Sequence, residues 1–251
     1  STLPVLDRLE LALNGLSPSL PSGLSNLSSI RVIDLQFNLL SGLPFIPELL
    51  ALPNLKQLSL SSNAFIGSIP TVIGSLSLLQ DLLIAENQLT STLPVEIGQL
   101  TLLETFLCSQ NRLDGMLPTE LGGVTALQSL IANNNMFEGN FTPFGEVLPQ
   151  LSSLTTLRFD FNFLAGFVPT QLGSLTAITD LRLNNNLLQG AFPDTLRNLS
   201  NLRFLALNDN FFNGPLAGNV FATFTNLDPI DLLSCFLTGI IPSSLFDIPT
   251  V

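Results

Sequence analysis

The chain contains no histidine, tryptophan or tyrosine, and only one of its eight basic residues is a lysine, Lys56. Without histidine, Ser-His-Asp and Cys-His nucleophile arrangements and histidine-ligated metal sites are excluded. Eight basic residues against 19 acidic ones leave a formal charge of −11. Such a chain has no Lys/Arg face for phosphates, so no nucleic-acid partner is expected. Charged residues are only 11% of the chain and mean hydropathy is +0.48. Even so, no uninterrupted apolar run approaches the ~18 residues that span a bilayer, so no transmembrane segment is expected. Phosphate-binding GxxxxGK[ST], Rossmann and HExxH patterns are missing too, and with them any implied cofactor, metal or small-molecule substrate. Ser1 to Leu6 leads straight into a repeating pattern, so any signal, transit or anchor segment is expected to lie outside this chain.

What the chain does contain is repetition. The stretch Leu175–Leu199, LTAITDLRLNNNLLQGAFPDTLRNL, shows the unit. Leu181 and Leu183 alternate as in a very short strand, Asn186 breaks the apolar pattern, and Gly190 and Pro193 bend the chain back. Aligning on that asparagine gives Asn14, Asn38, Asn63, Asn87, Asn111, Asn135, Asn162, Asn186, Asn210 and finally Cys235, at steps of 24, 25, 24, 24, 24, 27, 24, 24 and 25 residues. One unit cannot bury its leucines alone; stacked copies bury them continuously.

On these residues, and on L-x-G-x-I-P-x-x-L-G-x-L as in Phe65-Ile66-Gly67-Ser68-Ile69-Pro70 followed by Ile73-Gly74-Ser75-Leu76, the chain resembles leucine-rich-repeat proteins of the plant-specific subtype. Receptor-like ectodomains and polygalacturonase-inhibiting proteins are of this kind. The resemblance implies an α/β solenoid, a right-handed superhelix of about ten 24-residue repeats. A parallel β-sheet would line its concave face, with short strands, turns and 3-10 segments elsewhere. We expect a single domain over residues 1–251, either whole or a fragment of a longer chain.

Each aligned asparagine is expected to turn its amide inward and pair backbone groups that burial would otherwise orphan, with Cys235 as a small substitute on the last rung. The glycine four positions later becomes Pro18 and Ser91 in two repeats, and the proline three further on becomes Thr142 and Ala217, which should soften turns without losing register. The longest step is expected to place Asn140 to Gln150 as a bulging loop on the convex or lateral side, with a smaller bulge near Leu43 to Pro47. The paired-cysteine caps that plant relatives usually carry are missing. Ser1 to Leu6 and Phe246 to Val251 would then be minimal caps, or the ends would be covered by another protein.

Cys108 and Cys235 lie five strands apart, roughly 24 Å at ~4.8 Å per strand, too far for a disulfide. Both read as small buried hydrophobes. Asn26, Asn140 and Asn198 head N-x-S/T glycosylation sequons, compatible with secretion, although composition alone accounts for about four such sequons. Asp160, Asp180 and Asp209 are expected on an exposed sheet beside arginines. They make no nucleophile–base set, so the chain is read as a non-enzyme.

Two outward rows are candidate binding surfaces. Across the concave sheet, four residues before each ladder position, run Glu10, Asp34, Ser59, Leu83, Leu107, Ile131, Arg158, Arg182, Ala206 and Asp231. This row is acidic, then apolar, then basic. Leu83, Leu107 and Ile131 suit an interface core, and Arg158 and Arg182 suit a carboxylate, sulfate or phosphate unless Asp160 and Asp180 balance them. Just after the ladder, on a lateral edge, Met136, Phe163, Leu187, Phe211 and Phe236 form an apolar stripe that Phe167 would widen, unless the rings lie flat over the turn. The reading is a protein-protein recognition or scaffold module. Its alternatives are an extracellular receptor-like or inhibitor-like protein and a structural subunit docked on a larger, membrane-associated assembly. An extracellular or luminal location is expected over a cytoplasmic one.

Overall fold

The computed structural model describes residues 6–225, 227 and 230–244. The chain coils ten times. Each coil contributes one short strand to a ten-stranded sheet in which every neighbouring pair is parallel and follows the order of the repeats. Three residues suffice for each strand because the alternating leucines point inward and the residues between them face out. Thus Leu181 is fully buried while Arg182 is half exposed. Burying each leucine contributes about 1.5–3 kcal/mol, and the stack makes that burial continuous from Leu24 to Leu227.

The asparagine ladder forms as expected. Asn186 donates Nδ2 to the carbonyls of Phe159, Leu183 and Asn184 at 2.9, 3.1 and 3.2 Å, and its Oδ1 accepts the backbone N–H of Leu164 at 2.9 Å. One amide therefore satisfies its own turn and stitches it to the preceding coil. Among the described residues Asn14, on the first rung, bonds only its own turn through Leu11 and Ala12, and it is exposed. Cys235 keeps one weak bond, Sγ to the carbonyl of Leu207 at 3.6 Å.

The residue before each ladder position takes a left-handed φ of 52° to 58° in all ten coils, which turns the backbone so that the amide can point inward. Four residues after the ladder a second positive φ is required. Glycine meets it in eight coils, and Ser91 adopts φ +70° instead with the register intact. Pro18, at the same position in the first coil, follows a cis peptide bond.

Between these two turns lies a second parallel sheet of nine short strands, from Ser41–Gly42 to Phe236–Thr238, along one flank. On the convex side, prolines in extended conformation, such as Pro70 at φ −81°, lead into 3-10 turns that stack coil on coil. Gly98 permits this stacking, since a Cβ there would collide with the carbonyl of Glu120. Among the described residues no helix is long and apolar enough to cross a membrane.

Residues 140–150 lie on the convex side but do not bulge. A helical turn, Thr142–Gly145, and a 3-10 turn, Leu148–Gln150, fold the extra residues inward. Phe141 and Phe144 are buried against Phe159, ring centroids 6.3 and 5.8 Å apart, so the apolar rings draw the insertion into the core. The smaller excess likewise forms a helical turn, Pro47–Leu50, with Leu49 buried. At the amino-terminal end, Leu9, Leu11, Leu16, Leu20 and Leu24 line an apolar hollow of about 240 Å3. The proposed minimal caps fall outside the described residues except for Leu6.

Truncating a fully engaged rung leaves several buried backbone groups unpaired, each costing about 1–3 kcal/mol. Asn186→Ala is therefore expected to lower stability by at least ~2 kcal/mol, and Asn14→Ala by less than ~1 kcal/mol, in urea unfolding followed by circular dichroism. Equal losses at the two positions would contradict the inter-coil role.

Candidate functional site

Strand register sets the concave face. Leu83 stands beside Leu107, Leu107 beside Ile131, Ile131 beside Arg158, and Arg158 beside Arg182. The expected row is thus real as geometry. Its aliphatic members are half-buried rather than fully exposed, because neighbours across the ladder shield one another. At its amino-terminal end Glu10 pairs with Arg8, and Asp34 Oδ1 accepts the N–H of Gln36 at 3.1 Å and its Nε2 at 3.2 Å.

Arg158 and Arg182 are not free. Asp180, two residues before Arg182 on the same strand, sits between them. Its Oδ1 accepts Arg182 Nε at 2.9 Å, and its Oδ2 accepts Arg158 Nε at 2.9 Å and Arg182 Nη2 at 3.3 Å. Asp180 is buried and both arginines are half exposed, so one shielded carboxylate holds two like-charged neighbours together. The Arg182 guanidinium also lies 5.6 Å from the centroid of the Phe204 ring.

Beyond this fork the concave face sinks into a hollow of about 700 Å3, lined by Asp160, Phe161, Arg182, Phe204, Asn208, Asp209 and Asp231 among others. Asp160 and Asp180 were expected on an exposed surface; both are buried, since arginine side chains and adjacent coils cover them. Burial raises the Asp160 carboxyl above its ordinary value of 3.8, and the charge of Asp180 adds to this. Its own backbone N–H, Arg182 and Arg158 offset only part of the effect. Three buried side-chain polar atoms among the described residues have no hydrogen-bond partner. Two of them, Asp160 Oδ1 and Asn208 Oδ1, belong to residues lining this hollow.

Sequence reasoning named Asp180 as a balancing charge for the arginines, but Phe204, on the same outward row six before the ladder, escaped it although its aromatic character was visible. Phe161 was also missed. It occupies the position before the ladder, where the neighbouring coils have Asn134 and Asn185, and that substitution was the available signal. Asn208 gave no signal, because nothing in its neighbours' sequence shows that its oxygen is unpaired.

On the flank, Met136, Phe163, Leu187, Phe211 and Phe236 are exposed, and the stripe they form is stepped rather than straight. Adjacent strands of the second sheet are offset by two residues. Phe163 faces Glu138, Leu187 faces Ala165, Phe211 faces Gln189, and Phe236 faces Asn213. The apolar residues are therefore stepped and interleaved with polar ones. Phe211 and Phe236 nonetheless stack across the step, centroids 5.9 Å apart and planes within 6°. Phe167 is 58% exposed with its ring over Gly190, where a Cβ would meet it at 2.5 Å. Asn26, Asn140 and Asn198 are exposed. Cys108 and Cys235 are free; Cys108 is buried and Cys235 only partly so.

A coil this regular, with one parallel sheet along its inner face and outward rows that vary from coil to coil, is a repeat solenoid. The chain belongs to the leucine-rich-repeat family: the family model for the leucine-rich repeat region matches residues 11–166. No curated protein matches it in sequence. Among solved structures it is similar to the plant peptide hormone receptor RGFR1 in complex with RGF2, at 29% identity and a TM-score of 0.88, over 97% of this chain and 42% of the receptor chain. It is also similar to the Arabidopsis receptor kinase HAESA in complex with the peptide hormone IDA and the co-receptor SERK1, at 27% identity and a TM-score of 0.87, over 96% of this chain and 44% of that one. A plant ice-binding protein matches at 25% identity and a TM-score of 0.77, over 94% of this chain and 74% of its own. This chain thus spans less than half of the two receptor chains.

A carboxyl whose folded pKa is raised stabilises the fold below its ordinary value, and that contribution is lost as pH rises through the raised value. Asp160→Asn removes the titration. The variant is expected to melt no lower than the parent at neutral pH, with its relative advantage growing from pH 3.8 upward through the raised value and then levelling off. Melting curves across that range test the sign; an advantage that shrinks with rising pH would contradict it.

Proposed function

We propose that this chain is a non-catalytic recognition module that binds a peptide or extended protein segment along its concave sheet, in the manner of a receptor ectodomain outside the cell or in an organelle lumen. The observation that carries this reading is the half-buried band of Leu83, Leu107 and Ile131 across three adjacent parallel strands, flanked by the Arg158–Asp180–Arg182 fork. A partly apolar centre with a polar border suits an interface core, and an extended segment can follow such a row. The two receptors, whose names record peptide hormones, support the class of ligand. On this reading Asn26, Asn140 and Asn198 are exposed acceptors for glycans.

The test is selection of random dodecapeptides on the immobilised chain. Leu107→Asp is expected to weaken the selected peptides about tenfold or more, equivalent to ~1.4 kcal/mol, while the circular dichroism spectrum stays that of the parent. Peptides that bind parent and variant alike would sink the concave assignment.

The exposed Phe211–Phe236 stack favours a second reading, a scaffold subunit that docks its flank on a larger assembly. Replacing Phe163 and Phe211 by serine is expected to release a co-purifying partner while changing stability by less than ~0.5 kcal/mol per site. Retention of the partner by the double variant would remove this reading.

A further inference from the structure

The hollow beyond the arginine fork has a definite chemical bias. Its charged lining comprises one arginine, Arg182, against three aspartates, Asp160, Asp209 and Asp231. Arg182 is already committed to Asp180 and to the Phe204 ring. The two unpaired polar atoms on lining residues, Asp160 Oδ1 and Asn208 Oδ1, are both acceptors, on side chains more than nine-tenths buried. The Asn208 amide is oriented by its Nδ2, which donates to Asp209 Oδ2 at 2.6 Å, so its oxygen is the end left over. An unpaired buried acceptor is costly in the free protein, and a donor supplied by a ligand removes that cost.

Phe161 points the same way. It holds the left-handed φ of its row, +54°, and is about half exposed, as is Phe37 at φ +53° in the second coil. What distinguishes Phe161 is its place in the hollow wall, where its ring offers a face to a cation. Among the described residues no three carboxylates, cysteines or histidines are grouped to hold a metal ion, which leaves an organic cation. Asp160 and Asn208 lie at the same offset two coils apart, roughly 10 Å at the spacing of parallel strands, too far for a single ammonium to reach both. A cationic side chain and a backbone N–H about three residues away on an extended segment span that distance.

From these observations we propose that the hollow seats an arginine or lysine side chain of a basic peptide segment, with Asp160 as its counter-ion, Phe161 as its aromatic wall and Asn208 accepting a backbone N–H of the same segment. This rests on the reading of the concave face as a peptide-binding surface and adds the chemistry of the peptide.

The experiment uses the random dodecapeptide selection on the parent chain, Asp160→Asn and Leu107→Asp, followed by calorimetry with the selected peptides. We expect the parent to enrich a basic residue at one fixed position. Changing it to glutamine should weaken binding at least tenfold, Asp160→Asn should weaken the basic peptide by a similar factor, and combining the two changes should add little, as for two ends of one contact. Enrichment without a basic residue, or a basic residue whose loss is as costly in Asp160→Asn as in the parent, would overturn the assignment. If binding then still fails in Leu107→Asp, peptide recognition survives and only the hollow's role falls; if no peptide is enriched on any chain, both fall. Spermidine serves as the free-cation arm: binding as tight as the peptide's and equally dependent on Asp160 would overturn the peptide in favour of a polyamine. Because Asp160→Asn is expected to melt no lower than the parent, and Phe161→Asn installs the residue that the neighbouring coils carry at this position, weaker basic-peptide binding by both variants with unimpaired melting separates recognition from folding.

Discussion

Buried backbone has to be hydrogen-bonded, and a chain that bends away from the same sheet in coil after coil concentrates its unmet donors and acceptors at those bends. The asparagine ladder meets this need with one short side chain per coil, which donates to carbonyls in two successive turns and accepts an N–H from the coil before. That bond set holds the left-handed residue before it, the strand before that and the lateral strand after it in a common register. Once the register is held, every outward residue has a defined neighbour one strand away, and the surface becomes a grid of rows.

The grid is what turns scattered charges into an arrangement. Asp180 can hold Arg158 and Arg182 together because two coils bring the three side chains within hydrogen-bonding distance, although Arg158 and Asp180 are 22 residues apart in the chain. With both arginines committed, the face beyond them is acidic and short of donors rather than basic, the reverse of what the arginines suggest when read alone. On the flank the same kind of grid is sheared by two residues. There it sets Glu138 beside Phe163 and Gln189 beside Phe211, while Phe211 and Phe236 still stack across the step.

Much of the architecture was legible because it depends on periodicity. The ladder spacing, the inward leucines, the outward rows and the separation of Cys108 from Cys235 all follow from counting residues along a repeat. Residues 140–150 were misread because an insertion in a repeat looks like a loop unless its phenylalanines are seen to have room inside, and the room is made by Phe137 and Phe159 of adjacent coils. The step in the lateral stripe was not legible because the offset between neighbouring lateral strands is a property of how the coils lie on one another.

Sequence by itself determined that this is a stack of about ten coils with variable concave and lateral rows, since a 24-residue apolar period admits few other ways to bury its leucines. Only the tertiary structure decided which charges cancel, which acceptors stay unpaired and which rings touch. These depend on distances of a few ångströms between side chains of different coils. Coulomb and hydrogen-bond energies change steeply over such distances, while the repeat pattern is indifferent to them.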